Sequence, residues 1–373
     1  MKRNWVKKLL SVSLVAVMGA ALLTGCSSSS SSSDSDDSES AEEEEVDSLN
    51  LLVWASMWSE EVFDDFTEET GIEINVSYVD NTDTLLAKLI EGDAEYDLID
   101  LEGAYVQSFV EAGLLAEIDF DSMENYDNMN PDYVEEGPIG DEDSVYTVAD
   151  IGPCYTSVTY NVETCPIEIT SLKDLADPAL EGDVVMVNST ISLYGAALVA
   201  LGYEADSTSE EEIAEATELL KDIKENVIAF VGETCQTQLE NGECSVAYGW
   251  DYLSMVNDNA ENGEKFAIVN LEGGCEFYMQ YWAIPASSTK QAAATELIDF
   301  MLRPEEAAKH YIEYGFTPNL QQEVIEDYLP EGYYDNAALT AYEELADDAW
   351  CVAVNDEQIA LMDTYYTELM GGN

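Results

Sequence analysis

Apolar positions along the chain switch between two periods. Residues 49–54 (LNLLVW) form a nearly unbroken apolar run, the pattern of a buried strand. Val62, Phe63 and Phe66 then recur at helical spacing behind Ser59, with Glu60 and Glu61 in the first turn, where the helix dipole favours acids. Gly71 suits the left-handed residue that closes a helix. Ile72, Ile74, Val76 and Tyr78 alternate as a second strand. Thr82 or Asp83 caps a second helix with the stripe Leu85, Leu86, Leu89 and Ile90, stopped by Gly92, and residues 96–101 (YDLIDL) make a third strand. Two strand–helix–strand steps in about fifty residues predict a parallel sheet with right-handed crossovers. If the strand order is 2-1-3, a ligand belongs at the reversal between strands one and three. Their carboxyl ends are Trp54-Ala55-Ser56 and Glu102-Gly103-Ala104-Tyr105.

A second series follows residues 145–160. Strands are expected at Val184–Val187, Val227–Val231, 245–250, 265–270 and, as one run, 277–284. Helices are expected at 193–201, at Glu210–Lys224 with the stripe Ile213, Ala216, Leu219, Leu220 and Ile223, at 234–239, 291–302 and Pro304–Tyr314, and at 357–369. Two α/β lobes joined by extended crossings at 145–160 and 278–285 describe a hinged clamp, and the cleft of such a clamp favours small-molecule binding.

The ends of the chain change the picture. MKRNWVKK is basic, and LLSVSLVAVMGAALL is an apolar run shorter than the roughly 20 residues of a membrane span. Leu23-Thr24-Gly25-Cys26 follows and resembles a bacterial lipobox, which implies cleavage before Cys26 and a lipid on its sulfur. Residues 26–48 are polar, Ser-rich and acidic, a disordered tether that cannot bury a core. Hydrophobic residues at 46% leave the rest of the chain enough for a real core.

Twelve Lys and Arg against 79 Asp and Glu give a net charge of −67. That balance excludes nucleic acid as a partner, because phosphate binding needs clustered cations. It suits solubility and steers cations over a Debye length of about 10 Å. Neither G-x-G-x-x-G nor a phosphate loop is present, and no C-x-x-C suggests zinc. Six cysteines beyond Cys26 allow bridges, with 154–165 and 235–244 near in sequence. The lone histidine, His310, sits on an expected surface helix without an evident partner. Acids are so abundant that no pair of them singles out a hydrolase, and no further domain suggests a sensor.

Eight segments carry a resemblance: VWASMWSEEVFDDFTEETGI, AKLIEGDAEYDLIDL, SLKDLADPALEGDVV, ALGYEADSTSEEEIAEATELLKDI, SVAYGW, FYMQYWAIPASS, ELIDFMLRPEEAAKH and GFTPNL. In this order and spacing the chain resembles the spermidine/putrescine-binding group of ABC-transporter solute-binding proteins. The resemblance implies a periplasmic-binding-protein type II fold with two α/β lobes, a hinge and an interlobe cleft. It implies a signal peptide over 1–25, a tether over 26–48, one lobe from 49–150 with 280–322, and the other from 151–279 with 323–373. It further implies a monomeric receptor, lipid-anchored on the outer face of the cytoplasmic membrane, that binds a polyamine and delivers it to a permease and its ATPase. No cofactor, metal or catalysis is expected.

A polyamine is a methylene chain bearing ammonium groups. Aromatic rings bury the methylenes and attract the cations by about 0.5–2 kcal/mol each, and every desolvated ammonium needs an acid or several acceptors. Carried over by position, Trp54, Trp250 and Tyr278 match the aromatic walls, with Trp58 next to a further aromatic position. Where the group often places carboxylates, this chain has Ser189, Ser192 and Gln280. Glu102 and Asp251 are the acids that could replace them. Those departures keep a monoamine, or a neutral ligand that stacks on aromatics, as the alternative.

Overall fold

The protein is described from a computed structural model, which covers residues 46–373 except 55–56, 80–81, 92–94, 136, 139–140, 142, 233, 251–264, 336–348, 353–355 and 372–373. Two sheets organise it. The first has the order β2-β1-β3-β11-β4, with β1 Ser48–Trp54, β2 Glu73–Val79, β3 Leu98–Glu102, β4 Thr147–Ala149 and β11 Gln280–Ala283. β1 pairs in parallel with both β2 and β3, whereas β11 runs antiparallel to β3 and β4. The expected 2-1-3 reversal is therefore present. β1 is buried along its last four residues, as its apolar run requires. Between β1 and β2, helix α1 (Glu60–Thr70) buries Val62, Phe63 and Phe66 and ends at Gly71, whose φ of 81° only glycine adopts without strain. Helix α2 (Thr82–Glu91) returns the chain toward β3.

The second sheet has the order β10-β5-β8-β6-β7, with β9 also paired to β5. Its strands are β5 Cys154–Asn161, β6 Val184–Val187, β7 Val227–Val231, β8 Val246–Trp250, β9 Phe266–Val269 and β10 Glu276–Tyr278. The longest helix beside this sheet, Glu210–Lys224, spans the range read from sequence. Ser209 caps it, Glu210, Glu211 and Glu212 fill its first turn, and Lys221 and Lys224 its last, so every end signal agrees with the apolar stripe.

One expectation is corrected here. Residues 277–284 are not a single strand. β10 pairs with β5 in the second sheet, β11 pairs with β3 and β4 in the first, and Met279 lies between them. Both halves are apolar, so periodicity could not show that they serve different sheets. The chain also crosses between sheets from β4 to β5 through residues 150–153. That crossing is fastened by the GFTPNL segment: Gly152 N–H donates to the Thr317 carbonyl at 2.7 Å, and Asn319 Nδ2 donates to the Ala149 carbonyl at 2.6 Å. A Cβ at Gly152 would lie 2.9 Å from the backbone oxygens of Thr317 and Pro318, so this close approach requires glycine.

His310 is the second correction. Its helix, Pro304–Tyr314, turns the imidazole inward against Trp58, Tyr311, Tyr314 and Phe316. Burial holds its pKa down near 3, so it stays neutral, and neither ring nitrogen has a hydrogen-bonding partner among the described residues. The six cysteines beyond Cys26 form no disulfide with one another.

Candidate functional site

The first sheet delivers three side chains to its carboxyl edge. Trp54 ends β1, and its Nε1 donates to Gln280 Oε1 at 3.1 Å. Gln280 opens β11 directly opposite Glu102, the last residue of β3. The next residue, Gly103, donates its N–H to the Met279 carbonyl at 2.9 Å, which ties the end of β3 to the crossing. A Cβ at Gly103 would come within 3.0 Å of the Tyr281 ring, so the chain must be bare immediately after Glu102.

The second sheet delivers a row. In β10, Glu276 lies opposite Thr156 of β5, and Thr156 lies opposite Trp250 of β8. Directly opposed residues on neighbouring antiparallel strands share a face, so Glu276, Thr156 and Trp250 line up across three strands. Tyr278, two residues along β10, projects to the same side as Glu276. Ser192 reaches this row from the first turn of helix α5 (Thr190–Leu201), where its carbonyl accepts the Tyr248 hydroxyl at 2.9 Å. Trp250 and Tyr278 are only partly buried, so their rings keep accessible surface.

The acids of the two sheets sense each other. Glu102 is raised from the ordinary 4.5 to about 8, first by burial and then by the charge of Glu276. Glu276 is 5% exposed, and burial raises its carboxyl as well, tempered by the hydroxyls of Thr156 and Ser192. The Thr156 hydroxyl is near enough to temper that rise, yet it makes no hydrogen bond of good geometry among the described residues. Trp54, Gln280 and Glu102 are thus linked to Glu276, Thr156 and Trp250 at the place where Met279 joins the sheets.

A family model described as bacterial extracellular solute-binding protein matches residues 61–341. The chain belongs to that family. The spermidine/putrescine-binding periplasmic protein of Salmonella typhimurium is 29% identical over 329 residues, covering 87% of this chain and 92% of the relative. A putrescine/agmatine-binding protein of Pseudomonas aeruginosa is 25% identical over 72% of this chain and 77% of its own length. Among solved structures, a putative spermidine/putrescine ABC transporter protein from Listeria monocytogenes superposes with a TM-score of 0.79 at 19% identity, over 87% of this chain and 99% of that one. The fold is therefore that of a periplasmic-binding protein of type II. The family is extracellular or periplasmic and its members carry solutes; this is a binding protein, not an enzyme.

Not every residue singled out in the sequence joins the site of this solute-binding protein. Trp58 is 5% exposed and lies inside the first sheet's unit, near the rings of Phe63, Trp282 and His310, with Nε1 donating to Asp100 Oδ2 at 3.3 Å. It offers no wall to a ligand there. Ser189 caps α5, its Oγ accepting the Ser192 N–H at 3.2 Å, so that oxygen is already engaged. Asp251 and Cys26 lie outside the described residues. A cavity of about 10 Å³ beside Trp58, Asp150, Trp282 and His310 has room for one water and no organic ligand. Among the described residues no group of acids, histidines or cysteines is arranged to hold a metal, and no helix is long and apolar enough to cross a membrane.

Sequence reasoning passed over Glu276 and Thr156. A signal for Glu276 was present: it stands two residues before Tyr278 and four before Gln280, on the alternation of an extended crossing.

Proposed function

We propose that the protein is the receptor of an ABC importer, capturing a spermidine- or putrescine-like polyamine between two lobes and passing it to a membrane permease driven by an ATPase. The lobes are residues 49–150 with 280–322 and residues 151–279 with 323–373. After removal of residues 1–25, a lipid on Cys26 holds the receptor to the outer face of the cytoplasmic membrane, with residues 26–48 as its tether and a monomer as the working unit.

The observation that carries this reading is the meeting of acid and aromatic side chains from both sheets: Glu102 and Trp54 on one side, Trp250 and Tyr278 on the other. Partly exposed rings such as Trp250 suit methylenes, and acids raised by burial gain most from a cation that neutralises them. The names of the relatives, a spermidine/putrescine-binding and a putrescine/agmatine-binding protein, support the same ligand class. Calorimetric titration with putrescine, spermidine and spermine tests it. Saturation at one ligand per chain, with the ligand recovered unchanged, is the expected result; silence for all three removes the polyamine.

A second reading has its own support. Ser189, Ser192 and Gln280 are uncharged, and Gln280 Oε1 is engaged by Trp54. A monoamine asks for fewer acids than a triamine, and butylamine belongs in the same titration.

A further inference from the structure

Glu276 is an enclosed acid whose carboxyl is tempered by the Thr156 and Ser192 hydroxyls and still keeps one oxygen unpaired. It sits in a short strand, opposite Thr156 on one side and bridged to Trp350 on the other, and is almost completely enclosed. Its Oε2 has no hydrogen-bond partner among the described residues, and no salt bridge reaches it. Beside it the Thr156 hydroxyl, fully buried, also lacks a well-formed partner. An enclosed carboxylate oxygen left unpaired is costly, and two such groups in one row suit a donor supplied by a ligand. Enclosed acids elsewhere divide: Asp97 accepts from Lys290 Nζ at 3.0 Å and from the Ser288 hydroxyl at 2.8 Å, whereas Asp100 and Asp150 also keep unpaired oxygens among the described residues but stand beside enclosed rings, without the partly exposed Trp250 that continues the Glu276–Thr156 row.

Building on the polyamine reading, we infer that Glu276 is a ligand-contacting carboxylate which, with Glu102 from the opposite sheet, holds one primary ammonium of the bound amine. Three features converge on that chemistry. The donor must be positively charged, because two acids near one another repel unless a cation or a shared proton lies between them. It must offer several N–H bonds at once, since Glu276 Oε2 and the Thr156 hydroxyl opposite it are both unpaired and the charge of Glu276 acts on Glu102, and a primary ammonium carries three. It must also lead into an apolar chain, because Trp250 continues the Glu276–Thr156 row and Tyr278 flanks it. An alkylammonium meets all three conditions; a metal ion would find no chain-binding use for the rings. The pair also supplies charge in a chain where Ser189, Ser192 and Gln280 are neutral.

The test is titration of putrescine and of butylamine into the wild-type chain and into Glu276→Gln, with Glu272→Gln as the control. Glu272 is exposed on the preceding turn, so that variant makes the same charge change at a distance. Melting temperatures verify that each variant is folded. Glu276→Gln is expected to weaken both amines tenfold or more, while Glu272→Gln stays within twofold. If the wild type binds an amine and Glu276→Gln loses less than tenfold, the inference is overturned and the receptor reading stands. If the wild type binds putrescine, spermidine, spermine and butylamine not at all, both are overturned. Should Glu276→Gln fail to fold, Glu276→Asp gives the same reading, because withdrawing the carboxylate by one methylene lengthens its contacts without removing its charge.

Discussion

Asp100 and Glu102 stand two residues apart on β3, each paired with an acid from another part of the chain, and the two pairs are used differently. Asp100 of β3 faces Asp150 beside the first crossing, deep in the unit built on the first sheet. Glu102 faces Glu276 where the two sheets meet. Burial raises all four carboxyls, and within each pair the neighbouring acid raises one of them further: Asp150 acts on Asp100, and Glu276 on Glu102. The surroundings separate the pairs. Asp100 takes the Trp58 indole N–H, beneath a lid of Trp282 and His310, with room for one water. Glu102 and Glu276 adjoin Trp250 and Tyr278, whose rings keep open surface. A perturbed acid pair is therefore not a site by itself. What distinguishes the second pair is contribution from both sheets and the partly exposed Trp250 and Tyr278 beside it. The two tryptophans divide in the same way, Trp58 serving the interior pair and Trp54 the junction through Gln280.

The comparison is broken most forcefully at Trp58. Trp58→Ala should destabilise the fold by about 3–5 kcal/mol, the cost of removing an enclosed indole, and leave amine affinity of the folded fraction unchanged. Denaturant unfolding together with calorimetry checks both halves. Trp250→Ala should do the reverse: at least a tenfold loss of affinity, about 1.4 kcal/mol, with the melting temperature moved by no more than a few degrees.

Acidity sharpens it further. Glu102 is protonated more readily folded, at about 8, than unfolded, at the ordinary 4.5. The folded state therefore binds the extra proton between these values, and its stability, complete below 4.5, declines as pH rises toward 8. Ligand affinity should move the opposite way, because the ionised acid is the form that holds an ammonium. Glu102→Gln should flatten part of the stability slope and most of the affinity slope, as followed by melting and titration at pH 5, 6, 7 and 8. Equal slopes in wild type and variant would assign the proton elsewhere, Asp150 at about 7 being the nearest candidate. The smallest effect belongs to Ser189→Ala, which removes a helix cap worth about 1 kcal/mol and should change affinity less than threefold.

Much of the fold could be read from the chain because several signals coincided. Glu210–Lys224 had a cap, a first turn of acids, a last turn of lysines and a continuous stripe. The 2-1-3 order followed from strand–helix alternation. Reading failed where one signal stood for two structures. The apolar run from 277 to 284 is two strands in two sheets, and His310, polar by type, is enclosed by aromatics. Trp54 and Trp58 look alike in sequence, four residues apart; only the strand end at 54 and the turn into α1 send them to different neighbours. Glu276 was passed over despite its spacing to Tyr278 and Gln280, because an acid beside apolar residues in a strand reads as a solvent-facing position. Its enclosure comes from Thr156 and Trp350, which are 120 residues before it and 74 after it.

Both sheets grip one amine in the proposed receptor. A crystal structure with putrescine tests it most directly. The prediction is an ammonium nitrogen at about 2.7–2.9 Å from carboxylate oxygens of Glu102 and Glu276, with methylenes lying against Trp250. Putrescine bound through side chains of one sheet only, or at a place that leaves both acids without a cation, would contradict it.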